Sequence, residues 1–502
     1  MMQLHAVPIA ILIAYVVLTL VVANVVLRRR LGADHFLAAG RQLPMFMVLV
    51  IILGDWLGGG ATIGVSQRGY TEGIVAWLYP ISIGIALFAL AFTMAARFRR
   101  MGAVTVPEVM GRLFDEKTRL ASSIFIALAY FTLGITQIIA GGALLTSLLG
   151  VDKWLADLLS ALVFLLIVVA GGLHSIALVN FIQCIVIFAG MACALFFSLR
   201  LIGGSAIEGL RMLVHGLPPS FWSFGSISPV TWSGEVLSTV FACFAAQAAV
   251  TGIFAAKDTR AAVRGTWIAA ALIIPIGVVY VLVGMCARVH FGSELPYGLT
   301  AGPAMILELN PVVAGIALCG ILAAVISTGP LCFLAPTQII MRDIYSVYIN
   351  RHESDSRMLL LSRLLSAALI AAGLIIGILL YDLLKAIFWA FTLRCGIAVL
   401  LLSAAYLGAR RVSEDGAFFS LVLGFIVMIV WSVLGSPYGI HIAIPTIVSV
   451  FVGAVVITVF RKRRAPLSQE THQAFYLRQT PAAGDEGRTG AGADLSAKQA
   501  NG

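Results

Sequence analysis

The sequence predicts an all-α integral membrane protein with about 13 transmembrane helices. Three observations carry that prediction. Charged residues make up only 11% of the 502 residues and hydrophobic ones 60%, whereas a soluble domain carries about 25% charged residues. Mean hydropathy is +1.02. The apolar residues are also gathered into runs long enough to cross a hydrocarbon core of about 30 Å, which takes roughly 20 residues per helix. So few charges cannot cover a water-facing surface, and the composition therefore excludes a soluble enzyme, a nucleic-acid-binding module and a secreted disulfide scaffold.

Lipid offers the backbone no hydrogen bonds, so each long apolar run must be helical. The runs cover about 7–27, 44–67, 74–96, 120–149, 154–172, 176–199, 233–255, 266–287, 311–340, 359–380, 386–408, 417–435 and 440–460. The first has no basic segment before it and is followed by Arg28, Arg29 and Arg30, so it reads as a retained helix and not a signal peptide.

The net charge of +10 sits largely in short loops. Basic clusters follow the odd-numbered runs: Arg28 to Arg41, Arg97 to Arg119, Lys257 to Arg264, Arg342 to Arg363, Arg410 with Arg411, and Arg461 to Arg464. The opposite ends carry only Arg68, Lys153, Arg200, Arg211 and Arg288, while Lys385 and Arg394 are assigned to neither side. An excess of Lys and Arg marks the cytoplasmic side. The expectation is a bacterial inner-membrane protein with its N-terminus outside and its C-terminus in the cytoplasm. The seven cysteines all lie in apolar runs without a CxxC pair and read as small buried hydrophobes. Beyond Arg464 the chain is rich in Gly, Ala, Gln and Thr, which predicts a disordered cytoplasmic tail over 465–502.

Within the apolar runs a few places break the pattern. The second carries Gly54-Asp55-Trp56-Leu57-Gly58-Gly59-Gly60. Consecutive glycines at membrane depth permit unwinding where a cavity is lined, or close helix packing. Asp55 is expensive there unless paired or hydrated. Its readings are substrate counter-charge, cation-site electrostatics, a proton relay, or a structural hydrogen bond. The seventh run holds Gln247 as a lone amide among small residues, able to bind substrate or a neighbouring helix. The ninth ends Ala324-Val325-Ile326-Ser327-Thr328-Gly329-Pro330. Its two hydroxyls suit a hard cation if carbonyls from an unwound segment complete the shell, and can otherwise bond their own helix.

These residues resemble the sodium:solute symporter family from about residue 34 to 460. The marks are Phe36-Leu37-Ala38-Ala39-Gly40-Arg41, Gly171-Gly172-Leu173-His174-Ser175 with Asn180-Phe181-Ile182-Gln183, Ala256-Lys257-Asp258 with 261–265, and Ala324 to Thr328 followed by Asp343-Ile344-Tyr345. Asn180 stands where the family has an acidic residue. The run Trp56 to Gly60 is also similar to the family's choline-transporter branch, which has a neutral residue at the position of Asp55.

The resemblance implies an inverted five-helix repeat (LeuT-like) fold. Residues 1–33 form an extra N-terminal helix, 34–200 the first repeat, 201–232 an external loop, 233–409 the second repeat, and 410–464 two C-terminal helices. It implies a coupling Na+ held by Gly54, Leu57, Ala324, Ser327 and Thr328. It places the solute beside the ion, against Asp55, Trp56, Gln137, Phe244 and Gln247. Trp56 offers cation–π attraction or interior packing. The implied function is sodium-coupled import of a small organic solute, cationic or zwitterionic, by a chain embedded in the lipid bilayer that takes no nucleic acid and no obligatory protein partner. Alternatives are proton coupling through Asp55 and a membrane sensor working with a separate signalling partner. A membrane-embedded enzyme ranks last, because neither HExxH nor GxSxG occurs.

Overall fold

The computed structural model describes residues 6–27, 42–296, 299–377, 383–408, 411–461 and 467–476, with the side chains of 23–27 and 170–178 left aside. The motif at 36–41, the side chains of 171–175 and the tail beyond 476 lie outside the described residues.

Helix dominates each of the thirteen apolar runs. In chain order the α-helices are α1 Ala6–Leu27, α2 Met45–Trp56, α3 Val65–Glu72, α4 Leu78–Thr93, α5 Ala95–Met101, α6 Val106–Leu113, α7 Glu116–Leu149, α8 Lys153–Gly203 and α9 Ala206–Gly216. They continue with α10 Pro229–Phe244, α11 Gln247–Phe254, α12 Thr259–Phe291, α13 Ala301–Leu307, α14 Pro311–Ile339, α15 Asp355–Gly377, α16 Leu383–Ser403, α17 Glu414–Val433, α18 Ala443–Phe460 and α19 Gln469–Tyr476. Among the described residues ten helical segments are long and apolar enough to cross a membrane, and Ala6–Val22 and Met45–Trp56 are shorter apolar companions. Runs 154–172 and 176–199 both fall within the helical stretch Lys153–Gly203, in which Val179–Gly203 is a membrane span of its own.

The two breaks that matter fall in runs two and seven. α2 ends at Trp56, Leu57 takes φ −91° and ψ 46°, and helix resumes as a π-turn at Gly60–Gly64. α10 ends at Phe244, and the non-helical Ala245 and Ala246 separate it from α11. α2 packs among α8, α11, α12 and α14. Its start is tied to the end of α11 by a bridge in which Leu43 N–H donates to Ala255 O and Lys257 N–H to Leu43 O, both at 2.9 Å. The two interrupted helices thus lie side by side.

α14 is buried along nearly its whole length, whereas α15, α17 and α18 expose apolar side chains such as Ile375, Val433 and Phe460. An apolar periphery around a packed centre is what a lipid solvent selects. Polar caps start the helices on the side of the basic loops. Thr105 Oγ1 accepts Glu108 N–H at 3.2 Å, Asp115 Oδ1 accepts Thr118 N–H at 2.8 Å, and Asp258 Oδ1 accepts Ala261 N–H at 2.6 Å. The segment expected to be featureless after residue 464 holds the short helix α19, whose Phe475 is fully buried.

Candidate functional site

Four oxygens converge where α2 unwinds against α14. Thr328 Oγ1 lies 2.6 Å from the Gly54 carbonyl and 3.2 Å from that of Ala324; Ser327 Oγ lies 3.5 and 2.8 Å from the same two. Each hydroxyl carries one proton, so two carbonyls and two hydroxyls share two donors. That leaves lone pairs on a cluster of neutral, hard oxygens suited to an alkali cation. Leu57, also expected to coordinate, is buried one turn beyond Gly54, where the regular ladder stops. Gly58 is required here by space. A Cβ on it would lie 2.7 Å from Thr328 Oγ1 and 2.8 Å from Gln137 Oε1. Asn180 packs over Gly54 with its Nδ2 buried and unpartnered.

A small cavity of about 20 Å³ adjoins this cluster. Asp55, Trp56, Gly58, Gln137 and Thr328 line it, together with Tyr79, Ile387, Phe391 and Arg394. Asp55 Oδ2 accepts the Tyr130 hydroxyl at 3.1 Å and the Ala249 N–H at 3.2 Å. Ala249 belongs to the first turn of α11, so the carboxylate sits where the helix dipole favours it. Gln137 Oε1 accepts Gly59 N–H at 2.8 Å and so pins the unwound stretch. Trp56 packs edge-on to Phe391, with ring centroids 5.5 Å apart.

Two other expected substrate contacts lie elsewhere. Phe244 is buried at the end of α10 and does not line this cavity. Gln247 is engaged by protein groups: its Oε1 accepts Val106 N–H at 2.9 Å, and its Nε2 donates to Val104 O at 3.1 Å and Thr251 Oγ1 at 3.0 Å. Sequence reasoning passed over Arg394. It lies mid-run, and the intramembrane-charge argument applied to Asp55 singles it out equally well.

On one side a vestibule of about 920 Å³ reaches down between Gln67, Arg68, Thr71, Glu235, Phe388 and His441. Arg68 holds Glu72 and Glu235 at 2.7 and 2.8 Å in its wall. Tyr79, Phe388 and Phe391 form an aromatic layer, with centroids 5.9 to 6.3 Å apart. Phe388 faces the vestibule and Phe391 the small cavity, one turn apart on α16. On the other side Arg119 grips the fully buried Asp343 through Nε and Nη2, at 2.9 and 2.8 Å. The bundle is thus open at one face and sealed at the other.

Residues 36–424 match the model of the sodium:solute symporter family. The chain belongs to that family. An osmoregulated proline transporter of Bacillus subtilis is 21% identical to this symporter-family chain over 487 residues, covering 90% of this chain and 95% of that protein. A sodium/glucose cotransporter of Vibrio parahaemolyticus is 25% identical over 388 residues, covering 71% of this chain and 70% of that protein. A high-affinity choline transporter of Drosophila melanogaster is 24% identical over 361 residues, covering 69% and 57%. The solved structure of a Na+-coupled sialic acid symporter, in a substrate-bound outward-open state, aligns with a TM-score of 0.76 at 19% identity, covering 92% of this chain and 99% of that one. The symporter-family chain therefore has the LeuT-like helical fold and is a multi-pass membrane transporter.

Proposed function

We propose that the chain is a sodium-coupled symporter importing a small organic solute by alternating access. The observation that carries this reading is the junction of Thr328 Oγ1 with the Gly54 carbonyl at 2.6 Å. It joins a hydroxyl pair on a continuous helix to the unwound end of another. Na+ is bound there by Gly54, Leu57, Ala324, Ser327 and Thr328, and the solute beside it against Asp55, Trp56 and Gln137.

Because Gly58 and Thr328 border both the ion and the solute cavity, filling one tightens the wall of the other. Coupling follows if ion and solute together bind one arrangement of the helices better than the other. The two halves, 34–200 and 233–409, act as inverted repeats that rock about this point. The vestibule faces outward, with the basic loops in the cytoplasm of a bacterial cell, so the membrane potential adds about 2.3 kcal/mol per charge per 100 mV to uptake.

The test is uptake into proteoliposomes as a function of external sodium. Thr328→Ala should raise the half-saturating sodium concentration about tenfold, the equivalent of one charge-assisted contact. Ser327→Ala should do so less, since its hydroxyl lies farther from Gly54. Sodium dependence unchanged in both variants refutes the site, and uptake driven by a pH gradient alone refutes sodium coupling.

A further inference from the structure

We propose that Arg394 anchors a carboxylate of the transported solute, and that the solute is a small zwitterion whose cationic group faces Asp55. The proposal rests on the transport reading above and adds the chemical class of its solute.

Arg394 heads the largest fully buried side chains among the described residues, at 1% exposure, in the middle of α16. Its guanidinium carbon lies 5.0 Å from the Tyr130 ring centroid and 4.9 Å from that of Phe391. Two aromatic rings thus pack against the guanidinium. Nε and Nη2 are both buried and have no partner. These two N–H groups point along one edge, the fork that fits the two oxygens of a carboxylate. Arg119 turns the same two nitrogens on a single carboxylate oxygen, Oδ1 of Asp343. In Arg394 the fork belongs to a residue lining the small cavity. Leaving charged donors buried and unsatisfied is expensive, so the site calls for an anion from outside the protein.

Asp55 lines the same cavity, and the two residues make no direct ion pair. The site thus carries one fixed charge of each sign. A monoanion satisfies Arg394 and repels Asp55; a monocation does the reverse. A zwitterion compensates both. At about 20 Å³ the closed cavity holds no more than a single water. The solute therefore enters only when Phe391, Ile387 and Tyr79 move apart, which favours a small molecule over a bulky one.

The experiment is thermal stabilisation of the purified full chain, with and without sodium. The probes are L-alanine, L-proline and glycine betaine (zwitterions), L-lactate (monoanion), choline (monocation) and D-glucose (neutral). A zwitterion should stabilise the protein, and more strongly with sodium present. Its methyl ester, tested on the unaltered protein, should lose at least about 30-fold in affinity, as truncation of one partner of a buried charge pair does. Arg394→Gln should lose as much while keeping its stabilisation by sodium alone, and Arg394→Lys should recover only part. Three results overturn the proposal: stabilisation by lactate, choline or glucose in preference to every zwitterion, no stabilisation by any zwitterion, or an ester that binds as well as its parent. Each leaves the sodium effect readable. A zwitterion that binds equally with and without sodium, and loses affinity on esterification, supports the anchor while refuting sodium coupling.

Discussion

Gln247 Oε1 accepts the backbone N–H of Val106 at 2.9 Å, while its Nε2 donates to Val104 O. The first residue of one interrupted half-helix thus clasps the turn leading into α6 on the sealed side of the bundle. Losing buried hydrogen bonds of this kind costs about 1–3 kcal/mol, equivalent to a shift of roughly 5- to 150-fold between two states. Gln247→Ala should therefore populate the arrangement that is open on this side. A cysteine introduced as Val104→Cys should then react faster with a thiol reagent than in the parent. Equal reactivity would mean that the clasp holds nothing shut.

How much of this was legible in the sequence varies by residue. The break at Leu57–Gly58 follows from consecutive glycines beside a carboxylate, and the hydroxyl pair at 327 and 328 from its place above a Gly-Pro step. Both signals are local. Gln247 is a different case. As a lone amide it had two readings, and the choice depends on the turn at 104–106, about 140 residues away in the chain. Arg394 was visible as a charge at membrane depth, but the rings packed against it come from α7 and from the previous turn of its own helix, and the unused edge of its guanidinium emerges only once these are assembled. In α19 two aromatics suffice for docking, and an eight-residue segment leaves little periodicity to detect.

Asp55 should tolerate loss of charge in folding but not in transport. Asp55→Asn keeps an oxygen for the Tyr130 hydroxyl and the Ala249 N–H. It leaves Arg394 as the uncompensated charge of the cavity. Uptake should fall at least about tenfold, one charge-assisted bond, with the unfolding midpoint changed far less than in Asp55→Ala. A fully active Asp55→Asn would make the carboxylate structural. The double variant Asp55→Asn/Arg394→Gln should be less unstable than the sum of its parts, since residues facing one cavity are energetically coupled.

Acidification should destabilise the vestibule wall through His441. Burial pushes this imidazole down to about 4, and its Nδ1 accepts Ala443 N–H at 3.2 Å, which needs the lone pair. In the unfolded chain the ring protonates near pH 6.5. Between about pH 6.5 and 4 the unfolded state binds more protons, so this contribution is complete above that window and is lost as pH falls through it. The unfolding midpoint should drop over this range by less in His441→Gln than in the parent. Parallel curves for the two proteins would remove His441 from the account.

α19 should undock when its anchor is cut away. Phe475 is fully buried, the Arg97 guanidinium lies 5.8 Å from its ring, Arg100 Nε donates to Ala474 O at 3.1 Å, and the Tyr476 hydroxyl donates to Ala404 O at 2.7 Å. Phe475→Ala removes about 3–5 kcal/mol of packing, and eight residues cannot stay helical in water without it. Amides of Gln469–Tyr476 should then exchange with deuterium much faster, while those of α14 keep their protection. Tyr476→Phe, which deletes a single hydrogen bond worth about 0.5–1.5 kcal/mol, should produce a smaller acceleration. If exchange in Phe475→Ala matched the parent, the contacts to Ala404 and Arg100 alone would have to hold the helix, and Phe475 would be a passenger.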